Sequence, residues 1–186
     1  MRICVVGIGN TWATDDGVGP QIVDRLHRMH VDTPQNAWSS NGRDDELDVA
    51  STVTFKTMSR PDVSLLNTIS RSHVLIVVDA VVGNTPPGTI HRQIWQPGLL
   101  DSRGVERASS HGFGVREVLN LAETLGQLPA QVILWGIEAA STAPGQGLSP
   151  KVKAALPDIV NQLFNELQLL LRSTDGGKIN EQRNRA

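Results

Sequence analysis

The apolar run from Val74 to Val82 constrains the fold more than any other feature of this sequence. Apart from Asp79, every residue in the run is hydrophobic, and most are β-branched. A strand of this kind is buried on both faces, as at the centre of a parallel sheet covered by helices. The shorter runs Arg2–Gly7 and Gln131–Gly136 have the same character and predict two further buried strands.

Helical periodicity separates these strands. Between Gly17 and His30, apolar residues recur every three or four positions, which predicts an amphipathic helix. Similar patterns predict helices over 63–71, 114–125 and 149–172, the last with Ser149 as N-cap and a kink or break at Pro157. Strands are also predicted over 52–56 and, as an edge strand, over 89–95. The alternation predicts a three-layer α/β/α fold with a twisted, mostly parallel sheet of about five strands and helices on both faces.

The chain of 186 residues is predicted to form one domain over residues 1–172. Residues 31–51 are polar and predict an irregular surface insertion. A surface elaboration without a specific role is favoured over a lid or a docking element. Residues 173–186 are polar and aperiodic, which predicts a disordered tail.

Composition argues against several classes of protein. The formal net charge is -2, which gives no electrostatic reason to expect nucleic acid or an anionic membrane as a partner. No apolar stretch approaches the roughly 20 residues of a membrane span, and no secretory h-region opens the chain, so we expect a cytoplasmic protein. The single cysteine, Cys4, lies within the first apolar run and reads as a small core hydrophobe rather than a nucleophile.

Three ionisable residues lie where strands of such a sheet give way to loops. Asp16 follows the first strand, Asp79 ends the central strand, and His111 precedes the third helix. Ligands of open α/β sheets bind beyond the carboxyl ends of the strands. Two carboxylates and an imidazole can form a facial metal site with open positions, or can activate water without a metal.

Each of these residues also has a structural interpretation. Asp15 and Asp16 could cap the helix that follows them, and His111 could cap or pack in its loop.

The glycines in Gly7-Ile8-Gly9-Asn10 could indicate a dinucleotide site. However, Trp12 occupies the third glycine position of the dinucleotide-binding motif, and the second strand has no terminal acidic residue. The other four histidines read as surface or edge residues.

Four motifs in order resemble the hydrogenase maturation protease family. They are Gly7-Ile8-Gly9-Asn10 with Asp15-Asp16-Gly17-Val18-Gly19, Val78-Asp79-Ala80 with Pro87-Gly88-Thr89, Ser110-His111-Gly112-Phe113-Gly114-Val115, and Gly136-Ile137-Glu138 with Gly147-Leu148-Ser149-Pro150. The resemblance implies an endopeptidase that removes the C-terminal extension of a nickel-iron hydrogenase large-subunit precursor after nickel insertion. It also implies that Asp16, Asp79 and His111 contact the nickel carried by the substrate, and that no cofactor is tightly held.

The sequence departs from the family's pattern in two places. Thr57-Met58-Ser59 replaces a common Asp-Gly-Gly turn, which leaves the choice of hydrogenase open, and the 31–51 insertion is long.

Two other functions remain as alternatives. The first is a chaperone that checks nickel loading without cutting the precursor. The second is a peptidyl-tRNA hydrolase, although this chain has Thr14-Asp15-Asp16-Gly17 where such an enzyme has a Thr-Arg-His-Asn segment. We expect a monomer.

Overall fold

The computed structural model describes residues 1–33, 52–96 and 114–183. In these ranges the strands are β1 (Arg2–Ile8), β2 (Thr52–Met58), β3 (Val74–Val81), β4 (Ile90–Ile94) and β5 (Gln131–Glu138). The helices are α1 (Val18–Val31), α2 (Ser64–Ile69), α3 (Val115–Thr124) and α4 (Pro150–Arg183), and a short 3-10 turn, Thr14–Gly17, precedes α1. Every strand and helix predicted in the described ranges is therefore present.

The five strands form one sheet in the order β2-β1-β3-β5-β4. All neighbours are parallel except β4, which returns antiparallel to β5 as the edge strand that the sequence predicts. From β1 the chain passes to β2 on one side and then crosses back to β3 on the other. The boundary between β1 and β3 is therefore the topological switch point, where open α/β sheets bind their ligands.

Helices cover both faces of the sheet and confirm the three-layer fold. On one face, Val5 and Ile76 share a buried core with Ile22 of α1 and Leu156 of α4. On the other face, the side chains of Leu75 and Val77 pack with those of α2 and α3. Each of the central strands therefore buries alternate residues in two separate cores, which explains their unbroken apolar sequence.

Cys4 belongs to the second of these cores. It is 2% exposed, and burial raises the pKa of its thiol to about 11, although the nearby positive charge of Lys56 lowers it slightly. A thiol that stays protonated is a poor nucleophile. The interpretation of Cys4 as a core residue is confirmed.

The start of α1 lies directly against the switch point. A Cβ atom on Gly19 would lie 2.4 Å from the backbone oxygen of Ile8 and 2.6 Å from that of Val78. Both atoms belong to strand backbone and cannot rotate away, so only glycine allows this close packing. The glycine brings the turn before α1 close to the ends of β1 and β3.

Several predictions about the chain's irregular segments need revision. Helix α1 includes Val31, the first residue of the predicted insertion, while residues 34–51 lie outside the described residues. Helix α4 continues through Pro157 without a break and ends at Arg183 rather than near Arg172. The helix therefore also runs through Gly176-Gly177, a pair that ordinarily marks a helix end.

The start of α4 also differs in detail from the prediction. Ser149 does precede the helix, but its Oγ is buried and forms no hydrogen bond with any described residue. Within the described ranges, no helix has the combined length and hydrophobicity of a membrane span.

Candidate functional site

Asp16 lies in the 3-10 turn that follows β1, and its side chain is nearly inaccessible, at 3% exposure. The backbone N–H of Asn10 donates to its Oδ2 at 2.7 Å. The loop is too tight for any side chain at Gly9, where a Cβ would lie 1.8 Å from the Asp16 backbone oxygen and φ is +140°. The Gly-Asn pair of the first motif therefore shapes the loop that holds this carboxylate.

Asp79 lies near the carboxyl end of β3 and is 7% exposed. The N–H of Ala80 donates to its Oδ1 at 2.8 Å. Gly7 of β1 pairs with Val78, so Asp79 is level with Ile8, where β1 ends. The 3-10 turn carrying Asp16 contacts β3. The structure thus places both predicted carboxylates at the same edge of the sheet, on either side of the switch point.

His111, the third predicted residue, lies outside the described residues, as do Ser110, Gly112 and Phe113 of the same motif. Across residues 1–33, 52–96 and 114–173, no three His, Cys, Asp or Glu side chains converge as a metal-binding group. The convergence of Asp16, Asp79 and His111 therefore remains a prediction.

Asp15 has a different role from that of its neighbour. Its side chain is fully buried, and its two carboxylate oxygens accept hydrogen bonds from three backbone N–H groups, those of Ala140 at 2.8 Å, Ser141 at 3.3 Å and Ser149 at 2.6 Å. Helix α1 begins after Gly17 with no side-chain cap. The capping alternative is therefore wrong for α1. Instead, Asp15 ties the β1–α1 turn to the segment between β5 and α4.

Thr14 reinforces this connection from a strained conformation. It has φ +43°, and no other described residue except glycine has a positive φ. Its Oγ1 donates to the backbone oxygen of Ser141 at 2.6 Å and contacts that of Ala143 at 3.1 Å. Its N–H donates to the Gly145 oxygen at 3.1 Å. Backbone strain in a β-branched residue persists only where surrounding contacts over-determine it, so this turn is rigidly held.

A further buried carboxylate, that of Glu138, is not among the site residues predicted from the sequence. Glu138, 1% exposed at the end of β5, accepts hydrogen bonds from the Gly83 N–H at 2.6 Å and the Thr85 Oγ1 at 2.7 Å. Its Oε2 also lies 2.9 Å from the His91 Nε2. The cluster ties the β3–β4 loop and edge strand β4 to β5. Its signal in the sequence is the one that identified Asp79, a carboxylate ending a strand that is otherwise apolar.

The contacts of Glu138 predict a pH-dependent contribution to stability. Burial alone raises the pKa of its carboxyl, but hydrogen bonds from Thr85, His91 and Gly83 outweigh burial and place the pKa below its ordinary value of 4.5. A lowered native pKa stabilises the fold at neutral pH, and the stabilisation disappears as pH falls through that pKa. We expect Glu138→Gln to lower the free energy of unfolding by about 2 kcal/mol at pH 7, and by less below about pH 4.

Urea denaturation of both proteins at neutral and acidic pH measures this difference. Glu123→Gln on α3, a half-buried glutamate, is the matched control and should change stability little at either pH. A constant gap between Glu138→Gln and the wild type across this pH range would show that the carboxylate's charge does not stabilise the cluster.

Comparison with known proteins agrees with this fold and these motifs. Residues 61–166, more than half of the chain, match the family model HycI, described as hydrogenase maturation protease. The chain belongs to the hydrogenase maturation protease family. Hydrogenase maturation proteases are peptidases, so family membership favours peptide hydrolysis over the peptidyl-tRNA hydrolase alternative.

Similar proteins extend the match to nearly the whole chain. A hydrogenase 2 maturation protease of Escherichia coli (strain K12) is 28% identical over 171 residues, which cover 90% of this chain and 92% of the relative. A hydrogenase expression/formation protein HupD of Thiocapsa roseopersicina is 28% identical over 167 residues, 89% of this chain and 67% of the relative. The structure of the hydrogenase maturating endopeptidase HybD from E. coli superposes with a TM-score of 0.66 at 26% identity, covering 90% of this chain and 93% of HybD.

Proposed function

We propose that this protease removes the C-terminal extension from the large-subunit precursor of a nickel-iron hydrogenase after nickel has been inserted. In this proposal Asp16, Asp79 and His111 bind the nickel that the substrate carries, and the protease has no tightly held cofactor of its own. The observation that carries the proposal is the position of two buried carboxylates beside the switch point in a chain of this family. We place the reaction in the cytoplasm, with the protease acting as a monomer.

The choice of Asp16 over Asp15 follows from their hydrogen bonds. Both oxygens of Asp15 accept from backbone N–H groups of the β5–α4 segment, so a metal bound there would break the connection that holds the turn. Asp16 lies in the turn that contacts β3, and the Asn10 N–H positions one of its oxygens. The resemblance of the first motif to that of the family also implies that Asp16 is the metal-sensing carboxylate.

The nucleophile in this proposal is water. The chain's single thiol, that of Cys4, is buried in the core with its pKa raised to about 11, which argues against a cysteine protease. Hydrolysis breaks the scissile C–N bond, adds hydroxyl to the carbonyl carbon and gives a proton to the leaving amine. An aspartate can accept the proton of the attacking water, and the nickel ion can polarise the carbonyl. Both routes use the same three side chains.

Recognition of the substrate's own metal would make cleavage depend on maturation. A loaded precursor gains ligand contacts that an empty precursor lacks. A difference of about 3 kcal/mol in binding free energy already discriminates more than a hundredfold. The protease would therefore cut an empty precursor far more slowly than a loaded one.

A purified precursor, prepared with and without nickel, tests the proposal. We expect the protease to shorten the loaded precursor at least about a hundredfold faster than the empty one, as followed by gel mobility and by mass spectrometry of the released peptide. Equal cleavage of both forms would contradict the metal-recognition step. Tight binding of the loaded form without any change in its mass would favour the non-cleaving chaperone instead.

A further inference from the structure

The side chain of Trp12 is unusually exposed for its type. Its exposure is 68%, at least as high as that of any other large hydrophobic residue in the described part of the chain. Tryptophan is usually buried or partly buried, and it is strongly enriched among the residues that dominate protein–protein binding energy. An indole left in water therefore needs an explanation.

The backbone that carries Trp12 is held on both sides. Its N–H donates to the Oδ1 of Asn10 at 3.0 Å, and its carbonyl accepts from the N–H of Gly145 at 2.9 Å. The next residue, Ala13, forms a parallel bridge with Gly145 and donates to the Asn10 carbonyl at 3.0 Å. The indole is therefore presented from a fixed loop, and binding through it loses little backbone entropy.

Asn10 links the exposed indole to the proposed metal site. The Asn10 side-chain oxygen accepts from the backbone N–H of Trp12. The backbone N–H of Asn10 donates to the carboxylate of Asp16. On the neighbouring strand, Val82 follows the end of β3 and is 47% exposed, three residues beyond Asp79. An exposed apolar side chain therefore lies close in sequence to each predicted carboxylate, at the same edge of the sheet.

We propose that Trp12 is the residue that docks the polypeptide segment adjoining the substrate's metal, through contact with an uncharged, apolar stretch of that segment. The inference rests on the proposed function, because a substrate that brings a metal to Asp16 must lie against the loop held by Asn10. A second copy of this chain would instead cover the indole without delivering a metal. Trp12 sets substrate affinity and takes no part in bond breaking.

The test compares steady-state cleavage of nickel-loaded precursor by the wild type, Trp12→Ala, Trp12→Phe and the control Leu169→Ala. Leu169 is 66% exposed but lies on α4, so it matches Trp12 in exposure and not in position. We expect Trp12→Ala to raise KM about 30-fold, the effect of losing a binding hot spot. Its kcat should stay within about twofold of the wild type, because the lost contact is uniform binding. Trp12→Phe should recover most of the affinity, and Leu169→Ala should behave as wild type.

Two outcomes would overturn the inference, and they differ from failure of the proposed function. If the wild type cleaves the precursor and Trp12→Ala does so with unchanged KM, the docking role is wrong while the proposed function stands. If size-exclusion chromatography shows a dimer that Trp12→Ala dissociates, the indole serves self-association. If the wild type itself does not cleave loaded precursor, the proposed function fails. Circular dichroism of each variant establishes that it is folded.

Discussion

Asp16→Asn should reduce processing of a nickel-loaded precursor at least about a hundredfold while leaving the protein folded. An asparagine keeps an oxygen that can accept from the Asn10 N–H, so the loop retains its shape. It removes the negative charge that a cationic metal requires, and a neutral amide is a much weaker ligand. The measurement is the rate of precursor shortening, combined with thermal unfolding of the same preparation.

The other two proposed ligands should respond in the same way. Asp79→Asn should impair processing to a similar degree, with some additional loss of stability because the side chain is buried within β3. His111→Ala should abolish processing. The control is Asp158→Asn, which changes an exposed carboxylate on α4 and should process at the wild-type rate. Wild-type rates from both Asp16→Asn and His111→Ala would overturn the assignment of the site.

Asp15→Asn should produce the largest loss of stability among these substitutions. The buried carboxylate accepts from three backbone N–H groups, and an amide in its place turns an N–H₂ toward at least one of them. A hydrogen bond to a charged group contributes about 1.5–3 kcal/mol, so we expect the free energy of unfolding to fall by about 3 kcal/mol. For a chain of this size the melting temperature should fall by about 6–12 °C.

Adjacent aspartates therefore provide an internal comparison. Asp15→Asn should lower the midpoint of urea denaturation more than Asp16→Asn does. Asp16→Asn should lower the processing rate more than Asp15→Asn does, when both proteins are assayed well below their melting temperatures. The reverse order would mean that the two carboxylates have been assigned the wrong roles. Equal effects on both measurements would mean that the turn acts as a single structural unit.

The sequence predicts the layers of this fold well because burial on two faces leaves a strong pattern. Val74–Val81 is apolar except for Asp79, since its alternate residues enter different cores. Helix α1 shows its buried stripe in Ile22 and Leu26. The position of Asp79 is equally readable, since a carboxylate at the end of such a strand stands out. The edge position of β4 follows from its polar residues, although periodicity alone does not show that it runs antiparallel.

What the sequence does not reveal depends on contacts between distant segments. Asp15 and Asp16 are neighbours of the same type, and only the approach of Ala140 and Ser149 distinguishes the first from the second. Glu138 meets His91 because the β4 strand returns along β5, a pairing that local patterns do not encode. The length of α4 is not readable either, because its apolar stripe ends near Arg172 and Gly176-Gly177 indicates a helix end, whereas the helix continues to Arg183.

The connection from Asp15 to Ser149 spans most of the domain's length along the chain. During synthesis, the turn that carries Asp15 and Asp16 emerges early. The backbone N–H groups that bind Asp15 emerge only after β5. Contacts of such large sequence separation form late and slowly. A chain that stops short of α4 would therefore lack a shaped cleft even with every proposed ligand already translated, so the protease would gain its activity only near completion of its own synthesis.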